Sequence, residues 1–549
     1  MLGAHMARSR GSVKRETVGD PSNPNSLGRE VAEAYASGAR EIDVRKGVYL
    51  FDRANRSIFN LDQWHDATVN GNGATLISSE TQWGNEIFHM NHCDNVEVKN
   101  FVFSQTWQTA LQGRVISVDR RPAHTTHCIW RPDPGYPVPD ESAKSFNKGP
   151  NIVDGTTRLL RHGSGDDWDA PISSLHDGTF EVIFHNKSKV EVGDWLVSRG
   201  AVAPCKVHLE GCRGCTIENV ICLRNAFAGI LEWEGGGNHY IHCQWDVGPT
   251  PPGAVDSPLV SCSVDGFHSN LASPGPDLEN CQFNGVLLDD CIAIHGDLQE
   301  VVGSNGNTIV VNKDGGKLGK GQPIRIGAKG FFADAMIIGR TIHNDHTVTF
   351  TLDRSLNVPV GAMVGNPLKN GQGFKVIGCH VGNTRSRGML VKGDGGLIEN
   401  NTIEGCGMSG VSAGPDYPLE GDFVEGLTIR GNTFLGNGFV GQDLAAIQLH
   451  GGLSMGNSNV VIEDNEFRSN YSGDIDIHWT RGAVVSRNRF FGPSVVPSPL
   501  RNPASVLVWD SADVSVSGNT FSNLSNYRTP MLWASPEVQG FRHSANVSH

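Results

Sequence analysis

A short phrase recurs along the chain in which apolar and polar residues alternate and then meet an Asn or Gly. Asn95-Val96-Glu97-Val98-Lys99-Asn100-Phe101 sets the pattern, and Cys215-Thr216-Ile217-Glu218-Asn219-Val220 repeats it. It returns at Gly426-Leu427-Thr428-Ile429-Arg430-Gly431-Asn432-Thr433-Phe434, Val460-Val461-Ile462-Glu463-Asp464-Asn465-Glu466-Phe467, Ala483-Val484-Val485-Ser486-Arg487-Asn488-Arg489-Phe490 and Val514-Ser515-Val516-Ser517-Gly518-Asn519-Thr520-Phe521. Period-two alternation sends one side chain inward and the next outward. The closing Asn or Gly tolerates positive φ, and its amide can stack on the next coil. Asn401, Asn432, Asn465, Asn488 and Asn519 follow one another at gaps of 31, 33, 23 and 31 residues, as a basic coil with variable loops requires. The pattern predicts an all-β chain wound as a right-handed parallel β-helix, since a β-sandwich offers no reason for a recurring phrase.

Two stretches break the repeat. Residues 110–200 contain Gly178-Thr179-Phe180-Glu181-Val182 and Val190-Glu191-Val192-Gly193-Asp194-Trp195-Leu196-Val197. Residues 303–366 contain Gly321-Gln322-Pro323-Ile324-Arg325-Ile326, Thr347-Val348-Thr349-Phe350 and Val358-Pro359-Val360-Gly361-Ala362-Met363-Val364. Both read as small inserted β-barrels that could wall a cleft. At the start, Asn25-Ser26 precedes Leu27, Val31, Ala34 and Tyr35 at helical spacing, which predicts a capped helix over the open end of the solenoid. The expected organisation is a disordered or vector-derived segment 1–24, the cap and first coils 25–109, the first insert 110–200, coils 201–302, the second insert 303–366 and coils 367–549.

Composition narrows this reading. At 549 residues the chain exceeds an ordinary globular domain, but a solenoid grows by adding coils to one core. The 67 glycines suit a turn-rich all-β chain. A net charge of −13 argues against a nucleic-acid or anionic-membrane surface and permits a neutral glycan partner. The twelve cysteines fall mostly within repeat phrases, where inward stacking would bury them as small apolar residues, so no dense disulfide scaffold is expected. Cys212-x-x-Cys215 lacks a second pair at zinc spacing. There is no apolar run long enough for a membrane span, and Met1 to Arg15 has no apolar core of a signal peptide. Sequons at Asn55, Asn186, Asn400, Asn470, Asn523 and Asn546 would permit glycosylation in a secreted protein, so a soluble, secreted or periplasmic location stays open. So does a homodimer.

Candidate chemistry gathers between Val264 and His295. Asp265 lies in Val264-Asp265-Gly266-Phe267-His268, and Asp289 and Asp290 lie in Leu288-Asp289-Asp290-Cys291-Ile292-Ala293-Ile294-His295. The 24 residues between Asp265 and Asp289 approximate one coil, which would stack them. Strands ~4.8 Å apart would then crowd three carboxylates, and one should keep its proton to higher pH. Hydrolysis with inversion needs an acid and a base roughly 6.5–9.5 Å apart, a distance that diagonal Asp pairs on adjacent coils can reach. An isolated Asp at such a turn is ordinarily a turn residue, but three in two coils exceed that requirement. His268 and His295 either orient sugar hydroxyls or serve as wall residues. Glu232-Trp233 reads as a sugar platform or as a turn with a packing Trp, and Arg385 and Arg387 either hold a carboxylate and sugar oxygens or lie on the outer face.

Val264-Asp265-Gly266-Phe267-His268, Leu288-Asp289-Asp290-Cys291, Asn383-Thr384-Arg385-Ser386-Arg387-Gly388-Met389-Leu390-Val391, Gly396-Leu397-Ile398-Glu399-Asn400-Asn401-Thr402-Ile403 and Leu427-Thr428-Ile429-Arg430-Gly431-Asn432-Thr433-Phe434, with the two interruptions, resemble glycoside hydrolase family 110. The likeness runs from about residue 40 to the end. It implies a pectin-lyase-like β-helix with barrel inserts and an exo-acting α-galactosidase that cleaves terminal α-1,3-linked galactose with inversion. It further implies no required cofactor, with Asp265, Asp289 and Asp290 as acid and base candidates; no metal ligands are expected. Asp-Gly followed by Asp-Asp-Cys also resembles the polygalacturonases of family 28, but their Gly-His-Gly and Arg-Ile-Lys do not follow at the expected places. A calcium-dependent polysaccharide lyase and a non-catalytic glycan-binding solenoid stand as the alternatives.

Overall fold

The computed structural model describes residues 13–548 apart from 53–56, 80–85, 109, 122–124, 140–149, 165–166, 168–169, 186–188, 200–204, 226, 313–317, 416–420, 441–443, 453, 472, 493–503 and 523–530. The sequons at Asn55, Asn186 and Asn523 and the first twelve residues of the segment 1–24 lie outside the described residues.

The recurring phrase folds as expected. Each copy forms short strands that pair in parallel with the copy before and after, giving a β-helix whose walls are a 24-stranded and a 12-stranded sheet. Inward positions stack into one continuous core running from Leu27 to Phe521. Phe434, Phe467, Phe490 and Phe521 form a ladder of near-parallel rings with centroids 5.0, 4.9 and 4.6 Å apart. Beside it, Asn401, Asn432, Asn465, Asn488, Asn519 and Asn546 hand a side-chain amide from coil to coil at 2.9–3.1 Å. Each amide also satisfies backbone groups that the turn would otherwise leave buried and unpaired, as Asn465 does toward Ile429 O and the Asn432 N–H. All twelve cysteines are buried free thiols, in keeping with their inward positions.

The chain end differs from expectation. Residues 13–24 were expected outside the fold, yet Arg15–Val18 forms the first rung, paired in parallel with Glu41–Val44. The helix Leu27–Ala36 buries Leu27, Val31 and Ala34 over the open end. Ser26 does not cap it in the expected way: its hydroxyl donates to the Glu30 carboxylate, with Asn23 O 2.9 Å away, rather than accepting from a helix N–H.

Both interruptions are true insertions. Val207 pairs with Phe88 and Thr216 with Glu97 across the first, and Ile292 pairs with Met389 across the second. The helix therefore continues as if neither were present. The second insert is a closed six-stranded barrel running from Gln299–Asn305 to Met363–Gly365, so it begins a few residues earlier than the sequence suggested. The first is a six-stranded antiparallel sheet between Ala110–Arg120 and Trp195–Arg199 whose strand order does not close among the described residues. Each has its own apolar core. Arg325 pins the barrel to the helix: 6 % exposed, it donates to both oxygens of Asp394 at 3.2 and 3.1 Å and to Asp334 at 3.2 Å.

The amide ladder makes a direct prediction. Asn465→Ala removes the acceptor of the Asn432 backbone N–H and the side-chain donor to Ile429 O, while the Asn432 side-chain amide keeps Ile398 O and Arg430 O, at about 1–3 kcal/mol for each buried orphan. The denaturation midpoint should fall clearly in urea titrations followed by circular dichroism, and an unchanged midpoint would remove the ladder from the stability of the coils.

Candidate active site

The strands Ile230–Trp233, Phe267–Asn270, Ile292–His295 and Met389–Val391 lie side by side in the 12-stranded sheet. Phe267 faces Ile292 and Asn270 faces His295, an offset of 25 residues. Carried back two residues, that register places Asp290 beside Asp265. The expected stacking of Asp265 on Asp289 is therefore off by one, and Asp289 stands at the next position toward the loop. A parallel ladder fixes this tightly, with the Gly266 N–H donating to Asp290 O at 3.0 Å and the Phe267 N–H to Cys291 O at 3.0 Å.

The three acids do converge. Asp265, Asp289 and Asp290 each bring a carboxylate oxygen to within 4.8 Å of the others. Their surroundings differ. Asp265 is buried, with Oδ2 2.7 Å from His268 Nδ1. Asp290 is buried and gripped by Arg387, whose backbone N–H donates to Oδ1 at 2.7 Å and whose guanidinium lies 3.4 Å from Oδ2. Asp289 is half-buried and 2.5 Å from the Arg199 guanidinium. Burial first, and then the charges of Asp265 and Asp290, push the Asp289 carboxyl up to about 7 against the opposing pull of Arg199 and Arg385. A nearby guanidinium alone would lower it, so desolvation and the two neighbouring carboxylates win. The shared patch thus has one acid that holds its proton to neutral pH and one carboxylate held by an Arg.

Other expected residues divide by the face of the strand they occupy. His268 points outward on the same face as the acids, and its ring meets His295 edge-on at 4.9 Å. His295 is itself buried, with Nδ1 2.9 Å from Gly296 O. Trp233 is half-buried and in register with Asn270 on the outer face. Glu232 does not belong to the site. It alternates inward in register with Ser269, is 0 % exposed, and bonds Ser269 Oγ at 2.7 Å and Asn238 Nδ2 at 2.5 Å. Burial raises its carboxyl to about 7, but no substrate can reach it. Arg385 and Arg387 follow Thr384, whose hydroxyl donates to Asp289 O, and both stand close to the acids.

Sequence reasoning missed Arg199. It ends the last strand of the first insert, and apolar packing brings it to Asp289: Trp195 and Val197 bury against Leu287 and Leu288, which directly precede the acid pair. The only trace in the sequence is a doubled Leu before a doubled Asp, on a coil where a single inward apolar residue would suffice.

The comparison with family models fits this architecture. A family model described as a right handed beta helix region matches residues 365–527. Among curated proteins, Alpha-1,3-galactosidase B of Bacteroides thetaiotaomicron is 24 % identical over 388 residues, covering 64 % of this chain and 60 % of that relative. The chain thus spans about 60 % of the length of the relative it matches, and the resemblance to α-1,3-galactosidases recognised in its motifs stands. Among solved structures, the catalytic unit of a GH87 α-1,3-glucanase from Streptomyces thermodiastaticus is similar at 12 % identity and TM-score 0.37, over 100 % of this chain and 69 % of that one. The A-module of a mannuronan C-5 epimerase from Azotobacter vinelandii is similar at 10 % identity and TM-score 0.39, over 96 % and 95 %. No helix among the described residues is long and apolar enough to cross a membrane.

Arg199 gives the electrostatics a test. Arg199→Met removes a charge that favours ionised Asp289, so the Asp289 carboxyl moves further up and the alkaline limb of any pH–rate profile that needs its proton shifts to higher pH. A limb that stays in place or moves down would show that Arg199 does not act on Asp289.

Proposed function

We propose that this chain is a glycoside hydrolase that removes a terminal α-linked galactose, α-1,3-linked by resemblance to its relative, from an oligosaccharide or glycan. The observation that carries the proposal is the pair of opposed environments within one carboxylate cluster. Asp289, held protonated up to about pH 7, is the general acid that protonates the glycosidic oxygen. Asp290, fixed by Arg387, is the carboxylate that activates water, and Asp265 with His268 sets the charge that keeps the proton on Asp289. Trp233, His268 and Arg385 stand on or beside the same outer face, available to an apolar sugar face and its hydroxyls.

The family likeness favours inversion. A second stereochemical course, retention, uses carboxyl groups roughly 5–5.5 Å apart rather than 6.5–9.5 Å, and a cluster in which one oxygen of each acid lies within 4.8 Å of the others also admits it. Under that second reading Asp290 attacks the anomeric carbon directly. Proton NMR of the first-formed sugar separates the two, with β-galactose from an α-galactoside for inversion and α-galactose for retention.

Hydrolysis of 4-nitrophenyl α-galactoside and of an α-1,3-linked galactobiose tests the reading as a whole. Asp265→Asn, Asp289→Asn and Asp290→Asn should each lower kcat on the disaccharide, by roughly 10²- to 10⁴-fold for the acid and the base. For Asp289→Asn the loss should be smaller on the nitrophenyl substrate, whose leaving group departs without a proton. Full activity in all three variants, or no release of galactose by the wild type from either substrate, would contradict the assignment.

A further inference from the structure

A second cluster of chemically active side chains sits upstream on the outer face that carries the acids. Glu86, His89 and His208 each bring one ligand atom to within 4.8 Å of the others. Glu86 and His89 belong to the strand Glu86–Asn91 and His208 to Val207–Glu210, and the parallel pairing sets His89 directly opposite His208. Their rings stack, with centroids 5.1 Å apart and planes 11° from parallel. Glu86 reaches both: Oε1 is 3.3 Å from His208 Nδ1 and Oε2 is 3.7 Å from His89 Nδ1. The far nitrogen of His89, Nε2, is 3.6 Å from Glu210 Oε2.

Two atoms in this group lack what burial demands. Glu86 is only 5 % exposed, and its Oε2 is buried without a hydrogen-bond donor. His89 Nε2 is likewise buried without a hydrogen-bond partner. An orphaned carboxylate oxygen facing two imidazoles is costly unless something positive completes it.

We propose that Glu86, His89 and His208 bind a divalent transition-metal ion of the zinc class, with Glu210 as the outer partner of His89. Imidazole nitrogen and carboxylate oxygen are zinc donors, bound at ~2.0–2.2 Å around a tetrahedron, which sets neighbouring donors roughly 3.3–3.6 Å apart. Each oxygen of Glu86 already stands near that spacing from one imidazole, Oε1 at 3.3 Å from His208 Nδ1 and Oε2 at 3.7 Å from His89 Nδ1. His89 turns Nδ1 toward the ion position and Nε2 toward a carboxylate, the arrangement by which an outer carboxylate orients a metal-bound imidazole. Two nitrogens among three donors select against calcium and magnesium, which take oxygen ligands. Three protein ligands leave one position open on the outer face, two to three strands from Phe267–Asn270 and so about 10–14 Å from the strand that follows Asp265, at ~4.8 Å per strand. The proposal is independent of the glycosidase reading.

The test uses the full chain stripped with chelator, dialysed and titrated with zinc chloride by calorimetry, with bound metal counted by mass spectrometry. The wild type should bind one zinc ion that His208→Ala loses, that Glu210→Gln weakens by roughly 10- to 100-fold, and that Asp265→Asn/Asp290→Asn keeps. Zinc should also raise the melting midpoint of the wild type and not of His208→Ala. X-ray absorption of the zinc-loaded wild type, which needs no variant to fold, should show imidazole nitrogens in the coordination shell. No zinc bound by the wild type, equal binding by folded His208→Ala, loss of zinc in the double Asp variant, or a shell of oxygens alone would each overturn the proposal.

Discussion

The parallel hydrogen-bond ladder between successive coils is the constraint on which everything else in this protein rests. It places each residue directly over its counterpart one coil away, at ~4.8 Å, and so turns a repeat in sequence into a column in space. Where the counterparts are Phe or Asn, the column is favourable: rings stack with planes 7–9° apart and amides bond end to end. Where they are Asp265 and Asp290, the same ladder forces like charges together, and the chain responds by leaving a proton on the adjacent Asp289 and an Arg on Asp290. Stability and chemistry thus come from one geometric rule applied to different side chains.

The inserts act on that rule from outside. Because Phe88 pairs with Val207 and Ile292 with Met389, neither insert disturbs the ladder. The first instead packs its strand Trp195–Arg199 onto Leu287 and Leu288, which shields Asp289 from water and delivers Arg199 to it. Burial and a counter-charge therefore arrive on the same strand and oppose each other. Burial, reinforced by Asp265 and Asp290, prevails.

Much of this was legible in the sequence, for physical reasons that also mark where legibility stopped. The recurring phrase encodes the solenoid because in a parallel stack identical positions meet identical positions. The acids Asp265, Asp289 and Asp290 were visible because they sit one coil apart. Their register was misjudged by one residue, since a loop between coils can absorb a residue without trace and only the strand pairing Phe267 to Ile292 fixes the offset. Glu232 looked like a companion of Trp233, but neighbours on a strand face opposite ways, and the solenoid interior takes Glu232. Arg199 was hidden because the contact that brings it to Asp289 is made by apolar residues 90 positions away. The Glu86, His89 and His208 cluster was hidden for the same reason, with the first insert separating its two strands in sequence while the ladder joins them in space.

The central claim is that the ladder creates a carboxylic acid whose proton persists to neutral pH. Carbon-13 NMR of the side-chain carboxyls, titrated from acid to alkaline pH in the wild type and in Asp289→Asn, measures that directly. The account predicts that the carboxyls of Asp289 and of the buried Glu232 both titrate near pH 7 in the wild type, and that the variant lacks the first and keeps the second. A spectrum in which the wild type and the variant titrate alike would contradict it.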